Sequence, residues 1–113
     1  MKSGFLTYDR ELALTQVGGN PNSADELLEM MLRELPAQCL AMSKAIDSGA
    51  MDQLKAVVHR IRGAASCCGT PGVAETSSAL EFAIKLGADD DVPYLLAALL
   101  DEIESLIDDQ GSP

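Results

Sequence analysis

Apolar residues recur along this chain at intervals of three and four, the spacing that lines one face of a helix. From Leu27 the set Leu28, Met31, Leu32, Leu35, Cys39, Leu40, Met42 and Ile46 keeps such a stripe going to Ser48, and Gly49 is the expected stop. Ser23-Ala24-Asp25-Glu26 ahead of it has the form of a capping box. Pro36 interrupts the stripe and predicts a kink or a break into two helices there. Before it, Leu6 to Val17 reads as a short first helix closed by Gly18-Gly19, with a loop through Asn20-Pro21. A third helix is predicted from Asp52 to Gly69. A fourth follows, with Thr70 as its N-cap, Pro71 in its first turn and Gly87 as its close. Asp89-Asp90-Asp91 puts carboxylates at the positive end of a last helix running to about Asp108. Short loops between long helices favour antiparallel neighbours. The expectation is an all-α chain: an up-and-down antiparallel four-helix bundle with a short additional N-terminal helix.

Composition agrees with this and removes other classes. The chain has 113 residues, the length of one domain. Only 4% of it is Phe, Trp or Tyr, and Val, Ile and Thr are sparse, which argues against a sandwich or barrel. A single domain over residues 5–109 is expected, with flexible ends at 1–4 and 110–113. The net charge of −10 and pI near 4.2 oppose an overall role in binding nucleic acid, which needs basic surface. No apolar run reaches membrane-spanning length, and the N-terminus leads into no signal-peptide core, so direct membrane contact is not expected and the chain reads as cytoplasmic. Cys39, Cys67 and Cys68 form neither a disulfide framework nor a zinc spacing and read as reduced thiols. A redox sensor built on Cys67 and Cys68 is disfavoured, because adjacent helical cysteines diverge by about 100° and rarely bridge.

The sole histidine gives the chain its chemistry. On a helical wheel Leu54, Val57, Val58, Ile61, Ala65 and Cys68 share one stripe, and His59 falls about 150° from its centre, facing solvent. Ala56 and Gly63 lie on the same outward face, a turn to either side, so small residues frame the imidazole. Lys55, Arg60 and Arg62 place three of the eight basic residues within four positions of it. Glycine inside a helix costs about 1 kcal/mol relative to alanine. Its presence beside an exposed histidine points to close approach by something else, and the local positive charge points to an anion.

The segment His59-Arg60-Ile61-Arg62-Gly63-Ala64-Ala65-Ser66-Cys67-Cys68-Gly69 resembles the signature of histidine-containing phosphotransfer (HPt) domains: a His, a basic residue three later, Gly four later and Gly again ten later. Gly18-Gly19-Asn20 with Leu27-Leu28, the Ala45-Ile46 to Gly49 helix end, and Leu80-Glu81 match as well, so the likeness spans roughly Phe5 to Ile107. It is nearest in kind to HPt domains at the C-terminus of tripartite hybrid sensor histidine kinases. Arg62 stands where Lys is commoner, and the Cys67-Cys68 pair is outside the pattern.

The resemblance implies a phosphoryl carrier in a multistep His–Asp phosphorelay. It would accept a phosphoryl group on His59 from the phosphoaspartate of a receiver domain and pass it to the Asp of a response-regulator receiver. Arg62 would neutralise phosphoryl oxygens, and Glu81 would orient His59 by accepting its other ring N–H, unless it is an ordinary solvated glutamate. Lys55, Ala56, Arg60, Gly63 and Ser66 would form the docking face. The chain has no Walker-type G-x-x-x-x-G-K-[ST] loop and only one histidine, so no cofactor of its own is expected, and catalytic Mg²⁺ is assigned to the receiver partner. Such a domain is a phosphotransfer intermediate rather than an autonomous enzyme, monomeric in isolation, and its parent would be a sensor kinase of the inner membrane. The competing expectation is a helical docking module that binds receivers without being phosphorylated.

Overall fold

The computed structural model describes residues 4–110, and the expected loose ends at 1–3 and 111–113 lie outside the described residues. Gln110, expected in the tail, is instead the last residue of a helix. Five helices follow one another: α1 (Arg10–Gln16), α2 (Pro21–Asp47), α3 (Met51–Cys68), α4 (Pro71–Leu86) and α5 (Val92–Gln110). No strand occurs among the described residues. Helices α2 to α5 pack in chain order, each against the next, with α3 between α2 and α4; α2 and α5 close the ring less extensively. The short α1 rests on α2 and α3. This is the expected four-helix bundle with an extra N-terminal helix. At about 1.5 Å per residue the 27-residue α2 accounts for the long dimension of 41 Å.

The core is aliphatic and thioether. Leu35 and Met42 from α2 meet Leu54, Val58 and Ile61 from α3, Val73 and Leu80 from α4, and Leu99, Ile103 and Leu106 from α5, all essentially without solvent contact. The α3 stripe is as expected, Val57 being its half-buried edge. In α2 the stripe shifts: Ala24 and Ala45 join the buried set and Leu40 stands exposed.

Three expected features differ. Helix α2 begins at Pro21 rather than at Ser23, because the Asn20 side chain caps it, accepting from the backbone N–H of Asn22 (3.0 Å) and Ser23 (3.2 Å). Ser23 and Glu26 therefore lie inside the first turns and form no capping box. Pro36 does not break α2, which runs through it. Proline removes the bond to the carbonyl four residues back, here Leu32. Pro36 is exposed, so the loss falls on the solvent side, while buried Met31, Leu35, Met42 and Ala45 hold the helix against the core.

The first helix starts at Arg10, not Leu6. Asp9 caps it by accepting from Leu12 N (3.1 Å), and residues 5–8 form an irregular strap. Gly72 N donates to Leu6 O (3.1 Å) and Asp9 N donates to Gly69 O (2.8 Å), tying this strap to the α3–α4 turn. Gly69 makes the turn in the left-handed region (φ +72°), and a Cβ on it would lie 2.7 Å from both the Asp9 carbonyl oxygen and the Ala13 Cβ. Only glycine satisfies both the turn and the strap.

Candidate functional site

His59 occupies the middle of α3, where the wheel places it outward, and its side chain is 61% exposed. The residues before and after it at helical spacing, Ala56 and Gly63, are exposed too. Gly63 has no positive φ, and a Cβ there would find nothing within 4 Å. Neither backbone conformation nor packing within this chain calls for glycine at that position. Lys55 is half-buried, while Arg60 and Ser66 are exposed; the Ser66 hydroxyl donates to the Arg62 carbonyl (2.9 Å). Lys55 and Arg60 form no ion pair with any described residue, so their charge is available to an incoming group.

Glu81 approaches from α4, and its side chain is only 4% exposed. It is not the solvated glutamate that the sequence left open. Its Oε2 lies 2.7 Å from Nδ1 of His59. Burial pushes this carboxyl group up, but the hydrogen bond from His59 and the charges of Arg62 and Lys85 outweigh it and hold it below its ordinary value. An ionised carboxylate can only accept, so Nδ1 carries the hydrogen. In the neutral ring the lone pair is then on Nε2, away from Glu81, and the imidazole is fixed in one tautomer and one orientation.

Arg62, one turn beyond His59, is already engaged. Its Nε lies 2.7 Å from Glu81 Oε1, yet this buried nitrogen makes no hydrogen bond, so charge rather than a directed N–H holds the contact. Sequence reasoning missed Lys85, whose Nζ stands 3.8 Å from Glu81 Oε2. The signal was present, since Glu81 and Lys85 form an i,i+4 pair in the favourable order. The structure thus brings His59, Arg62, Glu81 and Lys85 together, with Ala56, Gly63 and Ser66 beside them on the exposed face. Among the described residues no three His, Cys, Asp or Glu side chains converge as a metal site requires.

Fold and constellation together define an all-helical bundle that presents one oriented imidazole from a solvent-facing helix. The family model described as the Hpt domain matches residues 26–109. The chain belongs to the Hpt domain family, phosphotransfer carriers of two-component signalling whose partners are receiver domains. It is similar to a solved structure, the HPT domain from the Hpt sensor hybrid histidine kinase from Shewanella, with 28% identity and a TM-score of 0.81 over 88% of this chain and 86% of that one. No curated protein matches the chain. No helix among the described residues is long and apolar enough to cross a membrane.

Proposed function

We propose that His59 is the phosphoacceptor of a His–Asp phosphorelay, taking the phosphoryl group from a receiver-domain phosphoaspartate and handing it to the aspartate of a response-regulator receiver. One observation carries this reading: the exposed imidazole is held at Nδ1 by a buried, ionised glutamate, with its Nε2 lone pair directed away from that contact. Nε2 attacks phosphorus, the bond from phosphorus to the aspartyl oxygen breaks, and its electron pair leaves with the restored carboxylate. The ring keeps its Nδ1 hydrogen and becomes positively charged, a charge that Glu81 stabilises across 2.7 Å. Return transfer reverses the roles, with a receiver carboxylate as nucleophile and Nε2 as leaving group.

Phosphoryl transfer rests on in-line positioning and charge neutralisation. Arg62 supplies a guanidinium one turn from the acceptor. Gly63 and Ala56 supply clearance for the loops that carry the phosphoaspartate, and Lys55 and Arg60 attract an acidic pocket to a chain of net charge −10. The Mg²⁺ that such a transfer uses belongs to the receiver. The domain acts in the cytoplasm, as a monomer, within or alongside a sensor kinase. The deciding experiment incubates the chain with a radiolabelled phosphorylated receiver. Wild type acquires acid-labile, alkali-stable label, and His59→Gln acquires none while keeping its helical circular-dichroism signal. Alkali-stable label on His59→Gln overturns the assignment, and a wild type that binds the receiver without taking label is the docking module instead.

A further inference from the structure

The two oxygens of the Glu81 carboxylate serve different partners. Oε2 takes Nδ1 of His59 at 2.7 Å and has Lys85 Nζ at 3.8 Å, whereas Oε1 faces Nε of Arg62 at 2.7 Å. Arg62 comes from α3 and Lys85 from α4, so the cations reach the carboxylate from separate helices. The Arg62 contact lacks a directed hydrogen bond, and its side chain is 40% exposed. It can therefore turn away from Oε1 without breaking a directed hydrogen bond.

Withdrawal has an electrostatic consequence. A buried carboxylate stripped of its counter-charge is strongly unfavourable. With Arg62 as the sole cationic side chain, turning it toward a phosphoryl group on His59 would leave Glu81 with only the imidazolium as counter-charge, beside newly arrived negative charge. A second cation already stands at Oε2, on a flexible side chain that is 51% exposed and can shorten its 3.8 Å approach. That oxygen is also the one that holds His59, so Arg62 can leave Oε1 without disturbing the imidazole.

We propose that Lys85 is a positioning residue for phosphoryl transfer: by compensating Glu81 at Oε2 it frees Arg62 to leave Oε1 and face the phosphoryl group, while Glu81 keeps its hold on Nδ1 of His59. This inference rests on the reading of His59 as the phosphoacceptor. Lys85 acts through Glu81 and need not touch the phosphoryl group. Arginine at this position can do the same, because the requirement is a cation on a long side chain reaching Oε2. A neutral side chain cannot, and Arg62 then stays on Glu81.

The test measures transfer at saturating concentrations of a phosphorylated receiver domain that labels the wild-type chain, using Lys85→Met, Lys85→Arg, Arg62→Ala and the double variant Arg62→Ala/Lys85→Met. Expected is a loss of about tenfold for Lys85→Met, wild-type behaviour within about twofold for Lys85→Arg, and less than about twofold further loss when Lys85→Met is added to Arg62→Ala, since coupled residues are non-additive. The Arg62 Nε resonance in nitrogen-15 NMR should shift on phosphorylation of wild type and stay in place in Lys85→Met. Equal losses in both backgrounds, or a Lys85→Met that only raises the half-saturating receiver concentration in a salt-sensitive way, overturn the proposal and make Lys85 a steering charge on the rim. Lys85 is half-exposed, so the variants should fold, and circular dichroism checks that. His59→Gln, run in parallel, separates the two claims: label on it defeats the phosphoacceptor reading, whereas a silent His59→Gln with a normal Lys85→Met defeats this inference alone.

Discussion

Replacing Gly63 by leucine should move stability and function in opposite directions. Nothing lies within 4 Å of a Cβ at this position, and its backbone is ordinary helix, so the larger side chain enters solvent without clash. Leucine is the better helix former by up to about 1 kcal/mol. In a domain of this size that corresponds to a melting temperature higher by about 4 °C. The added side chain stands one turn from His59, on the face where a phosphoaspartate must come to within about 3–3.5 Å of the attacking nitrogen. A partner forced back by even 1 Å loses about a hundredfold in rate. The assay pairs thermal unfolding with label transfer from a phosphorylated receiver: Gly63→Leu should melt at or above wild type and transfer about a hundredfold more slowly. Normal transfer would refute the clearance argument and leave the glycine without a cause. A markedly lower melting temperature would refute the open space beside it.

Two further outcomes test other parts of the architecture. Glu81 is held below its ordinary value, so its contribution is present above the unfolded carboxyl pKa of about 4.3 and is lost as pH falls through the lower folded value. The denaturant stability of wild type minus that of Glu81→Gln should decline as pH falls below about pH 4; a difference that keeps growing below about pH 4 contradicts the charge arrangement. Gly69→Ala should destabilise by about 2 kcal/mol or more, from left-handed strain of roughly 1–2 kcal/mol plus the 2.7 Å approach to backbone oxygen, as read by chemical denaturation; a neutral result would mean that the turn relaxes freely.

Much of this molecule is legible in the sequence because Gly and Pro punctuate it. Gly49, Gly69 and Gly87 each follow a helix, and all three adopt positive φ. The α3 wheel placed His59 outward because the opposite stripe is aliphatic without interruption. What failed was decided by competition or by distance. At the start of α2 two capping signals lie three residues apart, and Asn20-Pro21 prevails over Ser23-Glu26 because a proline already shaped for the first turn follows the cap. The unwound segment before Arg10 is fixed by bonds from residues about sixty positions away, which no local pattern encodes. Burial of Glu81 was equally hidden: α4 mixes Ala, Ser and Thr on its inner side, so a glutamate facing α3 looks like any other. The Arg62 contact joins two helices, and neither helix alone reveals it.

The strap that ties Leu6 and Asp9 to the α3–α4 turn gives the domain a second, smaller unit of cooperativity. Two backbone bonds close it across the turn, the Thr7 hydroxyl donates to Asp109 and Tyr8 packs on the edge of the core, but Phe5 and Leu6 remain largely exposed, so the strap buries far less than the helices do. Segments of that kind open at lower free energy than a packed core. The amide hydrogens of Asp9 and Gly72 therefore belong to one opening event, distinct from global unfolding, and exchange with solvent together while those of Val58 and Ile61 stay protected. Helices α3 and α4 keep their mutual packing when the strap lets go, so His59 and Glu81 remain paired while residues 5–9 have come loose.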